Sequence, residues 1–131
     1  MSIQTTDFET KSAEELIQWT MDQYGVKAGL ACSFGMEDMI LIDMIAKLKG
    51  PITIFTLDTG RLHEETYEIM ERVRSHYKLE IKTYFPDHQQ VEKLVREKGF
   101  FSFKESIENR KECCAIRKIE PLNRALSELD A

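Results

Sequence analysis

Two adjacent cysteines, Cys113 and Cys114, stand among basic residues in a stretch whose pattern predicts a helix. Neighbouring cysteines are poor disulfide partners, because a bond between them departs from normal disulfide geometry. Their thiolates are good ligands for a soft metal or an iron–sulfur cluster, and the flanking cations would offset the negative charge of such a centre. A cubane cluster needs four thiolates, and only Cys32 remains elsewhere in the sequence. The pair therefore predicts half of a metal or redox site, while an inert pair is equally open from the residues alone.

Two polar turns that follow predicted strands are the other candidates for chemistry. The first reads Ser33-Phe34-Gly35-Met36-Glu37-Asp38 and leads into a helix, where backbone N–H groups and the helix dipole favour a phosphate or sulfate. The second reads Leu57-Asp58-Thr59-Gly60-Arg61 and ends in a guanidinium that suits an anion. Each turn alone also resembles an ordinary strand-to-helix connection, so both interpretations stay open.

The elements that must position these turns alternate between helical and extended patterns. Helices are expected over residues 12–24, 37–49, 61–77 and 88–98, and strands over residues 26–33, 52–57 and 80–85. The rest of the chain is expected to be helical, with Pro121 starting or kinking its last segment. We expect Phe100, Phe101 and Phe103 in the core. This order predicts an α/β fold, a parallel sheet with flanking helices whose ligands bind beyond the carboxyl ends of the strands.

Composition narrows the class of protein. The chain has 131 residues and a formal net charge of -5, so we interpret residues 1–131 as a single α/β domain. The acidic balance favours neither nucleic acid nor an anionic membrane as a partner. No apolar run approaches the about 20 residues that span a bilayer. Three cysteines and a polar N-terminal stretch, unlike a secretory leader, predict a cytoplasmic protein.

Taken together, the motifs resemble those of the assimilatory adenylyl-sulfate and phosphoadenylyl-sulfate reductase family. The matching stretches are residues 33–38, 55–67 and 111–126, and their order and spacing run through almost the whole chain. The resemblance implies an adenine-nucleotide alpha-hydrolase-like fold with a nucleotide lying across the strand ends. It also implies reduction of adenylyl sulfate, or of phosphoadenylyl sulfate, to sulfite in sulfate assimilation and cysteine biosynthesis, with electrons from thioredoxin.

The resemblance assigns roles by position in the motifs. Ser33, Phe34, Gly35, Asp38, Leu57, Asp58, Thr59, Gly60 and Arg61 would form the nucleotide pocket. Cys113 and Cys114 would be two of the four ligands of a 4Fe-4S cluster. Lys118 would support catalysis as a flexible point charge between the cluster and the phosphosulfate. The tandem cysteines favour the cluster-bearing branch of the family, which mostly uses adenylyl sulfate.

The sequence also departs from the family pattern. We find neither the later strands, nor the second cysteine pair, nor the nucleophilic cysteine of the family, so no residue is assigned as nucleophile and the isolated chain is expected to be inactive. Cys32 does not match that motif, and its expected burial argues against the role. Without the later strands, the domain is incomplete and its first strand has an open edge. We therefore expect a homo-oligomer, or a second polypeptide that covers this edge.

Three other functions stay open at this point. One is a non-catalytic adenine-nucleotide-binding module that pairs with another chain. Another is a relative of the ATP pyrophosphatases, although residues 33–35 lack the Ser-Gly-Gly of that group. The last is a thiol-based metal or redox sensor built on Cys113 and Cys114.

Overall fold

Three short parallel strands form the sheet that carries the site. In this computed structural model, which describes residues 5–131, they are β1 (Gly29–Ala31), β2 (Thr53–Leu57) and β3 (Ile81–Tyr84). Their order is β1-β2-β3, and Ile54 of the central strand is in register with Leu30 and Ile81. The expected α/β class with a parallel sheet is therefore confirmed. Residues 1–4, the start of the polar N-terminal stretch, lie outside the described part of the chain.

Helices connect and flank the strands. They are α1 (Ala13–Tyr24), α2 (Met36–Leu48), α3 (Glu64–Tyr77), α4 (His88–Lys98), α5 (Ile107–Cys114) and α6 (Glu120–Leu126). Short 3-10 turns occupy Thr5–Phe8, Gly25–Lys27 and Ser102–Lys104. The side chains of Ser12 and Glu15 form a capping box at the start of α1, and Gly25 ends that helix. Across residues 5–131, no helix combines the length and apolar character needed to cross a membrane.

Two elements are shorter than their sequence patterns predicted by three residues or more. The expected strand over residues 26–33 is reduced to β1, because Val26 and Lys27 belong to the 3-10 turn after α1. The expected helix over residues 61–77 begins only at Glu64. The backbone N–H of Arg61 instead donates to Thr59 Oγ1 at 3.2 Å, so the chain turns before it becomes helical.

The core lies between the sheet and the helices α2 and α3. Cys32, Phe34, Ile42, Ile54 and Val73 form its buried cluster, and Ile42 is wholly inaccessible to solvent. Truncating such a residue to alanine typically costs about 2–5 kcal/mol of stability. Phe34 enters this cluster from a backbone with φ of 64°, the left-handed region that few residues without special constraints adopt. The core therefore fixes the turn that follows β1.

The helical stretch after the two cysteines changes its hydrogen-bonding register. Residues Ala115–Ile119 are π-helical, and the N–H of Glu120 donates to the carbonyl of Ala115, five residues earlier. Proline has no N–H, and its ring clashes with the carbonyl four residues before it, which here belongs to Arg117. Pro121, in the first turn of α6, therefore accounts for the wider turn. The expected kink at this proline takes the form of a π segment.

The last residues of the chain run along the outer edge of β1. The N–H of Ala131 donates to the carbonyl of Lys27 at 3.2 Å, and its carbonyl accepts from the N–H of Gly29 at 2.8 Å. Two such bonds on either side of one residue form the pattern of a parallel ladder. The edge that we expected to be open is thus covered at Gly29, while Ala31 further along remains exposed.

Candidate active site

The turn after β1 is closed by one buried carboxylate. Oδ2 of Asp38 accepts from the N–H of Ser33 at 2.8 Å, from its hydroxyl at 3.1 Å and from the N–H of Gly35 at 3.4 Å. We expected the donors of this turn to face an anion, but these three are satisfied by Asp38. The side chain of Phe34 points into the core rather than toward a ligand. The turn is therefore rigid and internally bonded.

The turn after β2 is held in a similar way. Asp58, with 5% of its surface exposed, accepts at Oδ1 from the N–H of Gly60 at 2.8 Å and from the hydroxyl of Tyr67 at 2.9 Å. Gly60 has φ of 78°, which a side chain would strain. Asp58 therefore shapes the turn from inside.

A first cavity of about 360 Å³ opens between the carboxyl ends of β1 and β2. This volume falls within the range of pockets that hold small ligands. Its lining residues are Ala31, Cys32, Ser33, Asp38, Phe55, Thr56, Leu57, Thr59, Leu62, Thr66, Lys118 and Leu122. Four of the predicted nucleotide residues are among them, namely Ser33, Asp38, Leu57 and Thr59. Phe34, Gly35, Asp58 and Gly60 line neither this cavity nor the next one, so any part they play is through the backbone or the turn.

Sequence reasoning missed several residues of this cavity. Thr56 is buried in the central strand, and Thr66 lies in the first turn of α3. A hydroxyl between the apolar residues Phe55 and Leu57 was the signal available for Thr56. Nothing in the local pattern distinguished Leu122, which α6 places here from the far end of the chain.

A second cavity of about 700 Å³ adjoins the first and contains both adjacent cysteines. It is lined by Thr59, Arg61, Leu62, His63, Thr66, Phe103, Arg110, Cys113, Cys114, Arg117 and Lys118. Among these described lining residues several are basic and none is acidic, so the cavity favours an anion. Thr59 and Lys118 line both cavities. The structure thus brings the predicted strand-end turn, the thiol pair and Lys118 together.

The three cysteines differ in their surroundings. Cys113 and Cys114 are half-buried at the end of α5, whereas only 5% of the surface of Cys32 is exposed. Burial raises the pKa of the Cys32 thiol to about 11, and nearby Asp38 raises it further against a bond from the Phe34 N–H. Cys32 therefore stays protonated at neutral pH, as expected of a residue that is no nucleophile.

The thiol pair fits part of a cluster site. Within residues 5–131 there is no group of three or more His, Cys, Asp or Glu side chains placed to hold a metal ion. Cys113 and Cys114 share one basic cavity, but Cys32 lies in the other one. The described residues thus supply two thiols of the four that a cubane cluster requires.

Arg61 lies on the thiol side of the site, over an aromatic cluster. Its guanidinium carbon is 5.1 Å from the ring centroid of Phe101 and 5.0 Å from that of Phe103, and its Nη1 donates to the carbonyl of Phe100. Phe100 and Phe101 are 64% and 57% exposed, so our expectation of a core position is wrong for both. The rings of Phe101 and Phe103 instead lie beside the Arg61 cation, and Phe100 contributes its backbone carbonyl.

Arg117 connects the two halves of the site. Its Nη1 donates to the backbone carbonyl of Thr59 at 2.7 Å. Its Nε is buried and finds no hydrogen-bond partner among the residues that the structure describes. A buried donor without a partner costs free energy, so the other contacts of Arg117 must stabilise it in this position.

Comparisons with known proteins agree with this arrangement. A sequence model of the phosphoadenosine phosphosulfate reductase domain matches residues 27–131. The chain is 43% identical over 121 residues to an adenosine 5'-phosphosulfate reductase of Pseudomonas aeruginosa. This match covers 92% of this chain and 44% of that protein. It is 48% identical over 105 residues to the enzyme of the same name from Burkholderia cepacia, covering 80% and 42%. It is 42% identical over 123 residues to the chloroplastic 5'-adenylylsulfate reductase 1 of Arabidopsis thaliana, covering 94% and 26%.

A solved structure shares the fold. The phosphoadenylyl-sulfate reductase of Candida auris, determined as a phosphate complex, superposes with a TM-score of 0.82 at 21% identity. The match covers 98% of this chain and 64% of that one. The chain spans less than half the length of the curated bacterial and plant relatives named above.

Proposed function

Because the chain belongs to the phosphoadenosine phosphosulfate reductase domain family, we propose that it binds the adenine nucleotide of a sulfonucleotide reductase. The substrate would be adenylyl sulfate rather than phosphoadenylyl sulfate, in line with the names of the relatives at 42–48% identity. The complete protein would reduce it to sulfite and AMP in sulfate assimilation, with thioredoxin as electron donor. The observation that carries the proposal is the pair of adjoining cavities that share Lys118, one at the strand ends and one lined by cations and thiols.

The residues divide this task between the cavities. Ser33, Asp38, Leu57 and Thr59 would line the adenosine end, where apolar strand residues exclude water from the base. Arg61 and Arg110 of the second cavity would bind the phosphosulfate, since an ionised group donates strong hydrogen bonds to phosphate oxygens. Lys118 would contact the anion from the boundary between the two.

We infer that Cys113 and Cys114 are two of the four ligands of a 4Fe-4S cluster. The shared basic cavity supports this, because cations offset the charge of thiolate ligands. Such a cluster, when bound, supplies iron whose reduction potential depends on its surroundings. Cys32 lies at the other cavity, so residues 5–131 offer this cluster no third thiolate. Anaerobic reconstitution of the chain alone should therefore leave iron and sulfide well below one cluster per molecule, and a full cluster on the monomer would contradict the ligand count.

Calorimetric titration under anaerobic conditions tests the nucleotide site. Adenylyl sulfate and AMP should bind, and ATP and phosphoadenylyl sulfate should bind more weakly. Lys118→Ala should lower the affinity for adenylyl sulfate by about tenfold or more, because a hydrogen bond from a charged group is lost. The matched control is Lys93→Ala on the exposed face of α4, which should bind as the parent does. Failure of all four nucleotides to bind would overturn the proposal.

A second candidate is a non-catalytic nucleotide-binding module. Cys32 is a buried thiol with a raised pKa, which makes it a poor nucleophile, and the thiol pair is assigned to the cluster. None of the three cysteines is then left to attack the substrate, which favours a module without turnover. Sulfite release from adenylyl sulfate with reduced thioredoxin distinguishes the two. Nucleotide binding without any release of sulfite would favour the module.

We also propose a partner and a compartment for the protein. A homo-oligomer or a second polypeptide would cover the exposed end of the β1 edge at Ala31. A cytoplasmic location, inferred from three free cysteines, stays a prediction.

A further inference from the structure

The peptide unit between Thr59 and Gly60 is hydrogen-bonded at both its carbonyl and its N–H. The carbonyl of Thr59 accepts from Nη1 of Arg117 at 2.7 Å. The N–H of Gly60, on the other side of the same peptide bond, donates to Oδ1 of the buried Asp58 at 2.8 Å. A peptide that is held at both its donor and its acceptor is not free to flip. Thr59 thus has one fixed backbone orientation between the two cavities.

The arginine comes from an element with an unusual register. Arg117 lies in the π segment Ala115–Ile119, and Pro121 is the fourth residue after it. Since the proline ring clashes with the carbonyl of residue 117 in a regular helix, the widened turn occurs at Arg117 itself. Single π turns inside helices are frequent at functional sites, where they redirect a side chain.

The turn packs closely against the guanidinium. A Cβ at Gly60 would lie 3.2 Å from Arg117 Nη1, and φ there is already 78°. Glycine is therefore required at this point both for its backbone conformation and for the approach of the arginine. The contact joins the turn after β2 to the segment that directly follows Cys113 and Cys114, 58 residues along the chain.

We propose that Arg117 is a positioning residue, which orients the Thr59–Gly60 peptide and thereby couples the nucleotide-facing turn to the helix of the thiol pair. It acts through Thr59 and needs no contact with the ligand. This inference rests on the proposed nucleotide site, because Thr59 lines the cavity assigned to adenosine. Loss of the guanidinium would remove the bond to the Thr59 carbonyl. Of the two bonds described above, the peptide would then keep the one from the Gly60 N–H to Asp58.

The experiment follows both the turn and the ligand in the full chain. Hydrogen exchange of the Gly60 amide reports the turn without any nucleotide, and calorimetry with AMP under anaerobic conditions reports the site. Arg117→Ala should raise the rate of hydrogen exchange at the Gly60 amide by about tenfold and lower the affinity for AMP by a similar factor. Guanidinium ion, added well below denaturing concentrations, should restore both values by occupying the vacated space. The charge-matched control is Arg72→Ala on the exposed face of α3, which should change neither.

The outcomes separate this inference from the proposed function. Unchanged exchange at Gly60, or a defect that guanidinium fails to correct, overturns the positioning role. Faster exchange with rescue, in a chain whose parent binds no AMP, supports the positioning role and overturns the nucleotide site instead. If Arg117→Ala does not fold, Arg117→Lys gives the same comparison, because it retains charge and stem but lacks the planar fork.

Discussion

The hydroxyl of Tyr67 donates to the buried carboxylate of Asp58 at 2.9 Å, which fastens the first turn of α3 to the end of β2. The same carboxylate oxygen accepts from the N–H of Gly60. Asp58 thus has a structural role, because both of these bonds shape the turn from within the protein. A ligand at this edge of the sheet meets the outer surface of the turn.

Removing the tyrosine hydroxyl should weaken the turn. Tyr67→Phe leaves the buried Asp58 with one donor fewer, and hydrogen bonds to charged groups contribute about 1.5–3 kcal/mol. We expect the free energy of unfolding in urea to fall by about 1–2 kcal/mol, since Tyr67 is partly exposed and water replaces part of the bond. Tyr24→Phe is a matched control, because the contact of Tyr24 with Trp19 is made edge-on by its ring, which phenylalanine retains. Equal stability of both variants would show that Asp58 does not need this donor.

The carboxylate of Asp38 should matter more than that of any exposed acid. Asp38→Ala removes the acceptor of three donors in the turn after β1. We expect a loss of about 3 kcal/mol of stability, because two backbone N–H groups of a tight turn then depend on water. Asp22→Ala, which removes only an exposed bond to Gln18 on α1, should cost less than about 0.5 kcal/mol. Urea unfolding of the two variants provides the comparison, and similar losses would contradict the role given to Asp38.

Alkaline pH should destabilise the protein through Cys32. Its pKa is raised by burial from 9.0 to about 11, so the folded state favours the neutral thiol more than the unfolded state does. This contribution to stability is complete below pH 9 and is lost as the pH rises from 9 toward 11. Tyr67, Tyr77 and Tyr84 add to the loss, since burial first and a carboxylate partner second raise the pKa of each above 10.0.

A variant without the thiol tests this assignment. Cys32→Ala should flatten the fall in stability between pH 9 and 11, by up to about 3 kcal/mol across the window. Val73→Ala, in the same buried cluster, should lower stability equally at every pH because it only creates a cavity. Guanidinium unfolding at several pH values measures both, and an unchanged slope in Cys32→Ala would sink the idea.

Local patterns predicted most elements because their signals are local. The capping box of Ser12 and Glu15 and the stop at Gly25 marked α1, and Gly99 marked the end of α4. The parallel sheet and the gathering of both motifs at its carboxyl edge followed from the parallel α/β pattern. These features depend on residues that are close in sequence or on general rules of topology.

The features that escaped prediction depend on distant contacts. Phe34 turns into the core because α2 and α3 offer it an apolar space, and no property of residues 33–38 reveals that. Arg117 reaches a carbonyl 58 residues away only because Pro121 widens the helix beneath it. Phe100 and Phe101 look like core residues in the sequence, but both are exposed, and Arg61 contacts the ring of Phe101 and the carbonyl of Phe100. Tertiary packing therefore decided which predicted site residues face the cavities.

The last three residues should limit self-association through β1. Ala131 pairs with the edge at Gly29, and Leu129 packs so closely that a Cβ on Gly29 would lie 2.4 Å from its Cδ1. Deleting residues 129–131 leaves this edge unpaired, and an unpaired edge strand invites another strand. Sedimentation velocity should show more dimer or aggregate for the shortened chain than for the parent at equal concentration. The control is Glu128→Gln, which retains the backbone pairing and changes only the side-chain contacts with Lys82 and Tyr84. Equal monomer content in the parent and the shortened chain would mean that these residues do not protect the edge.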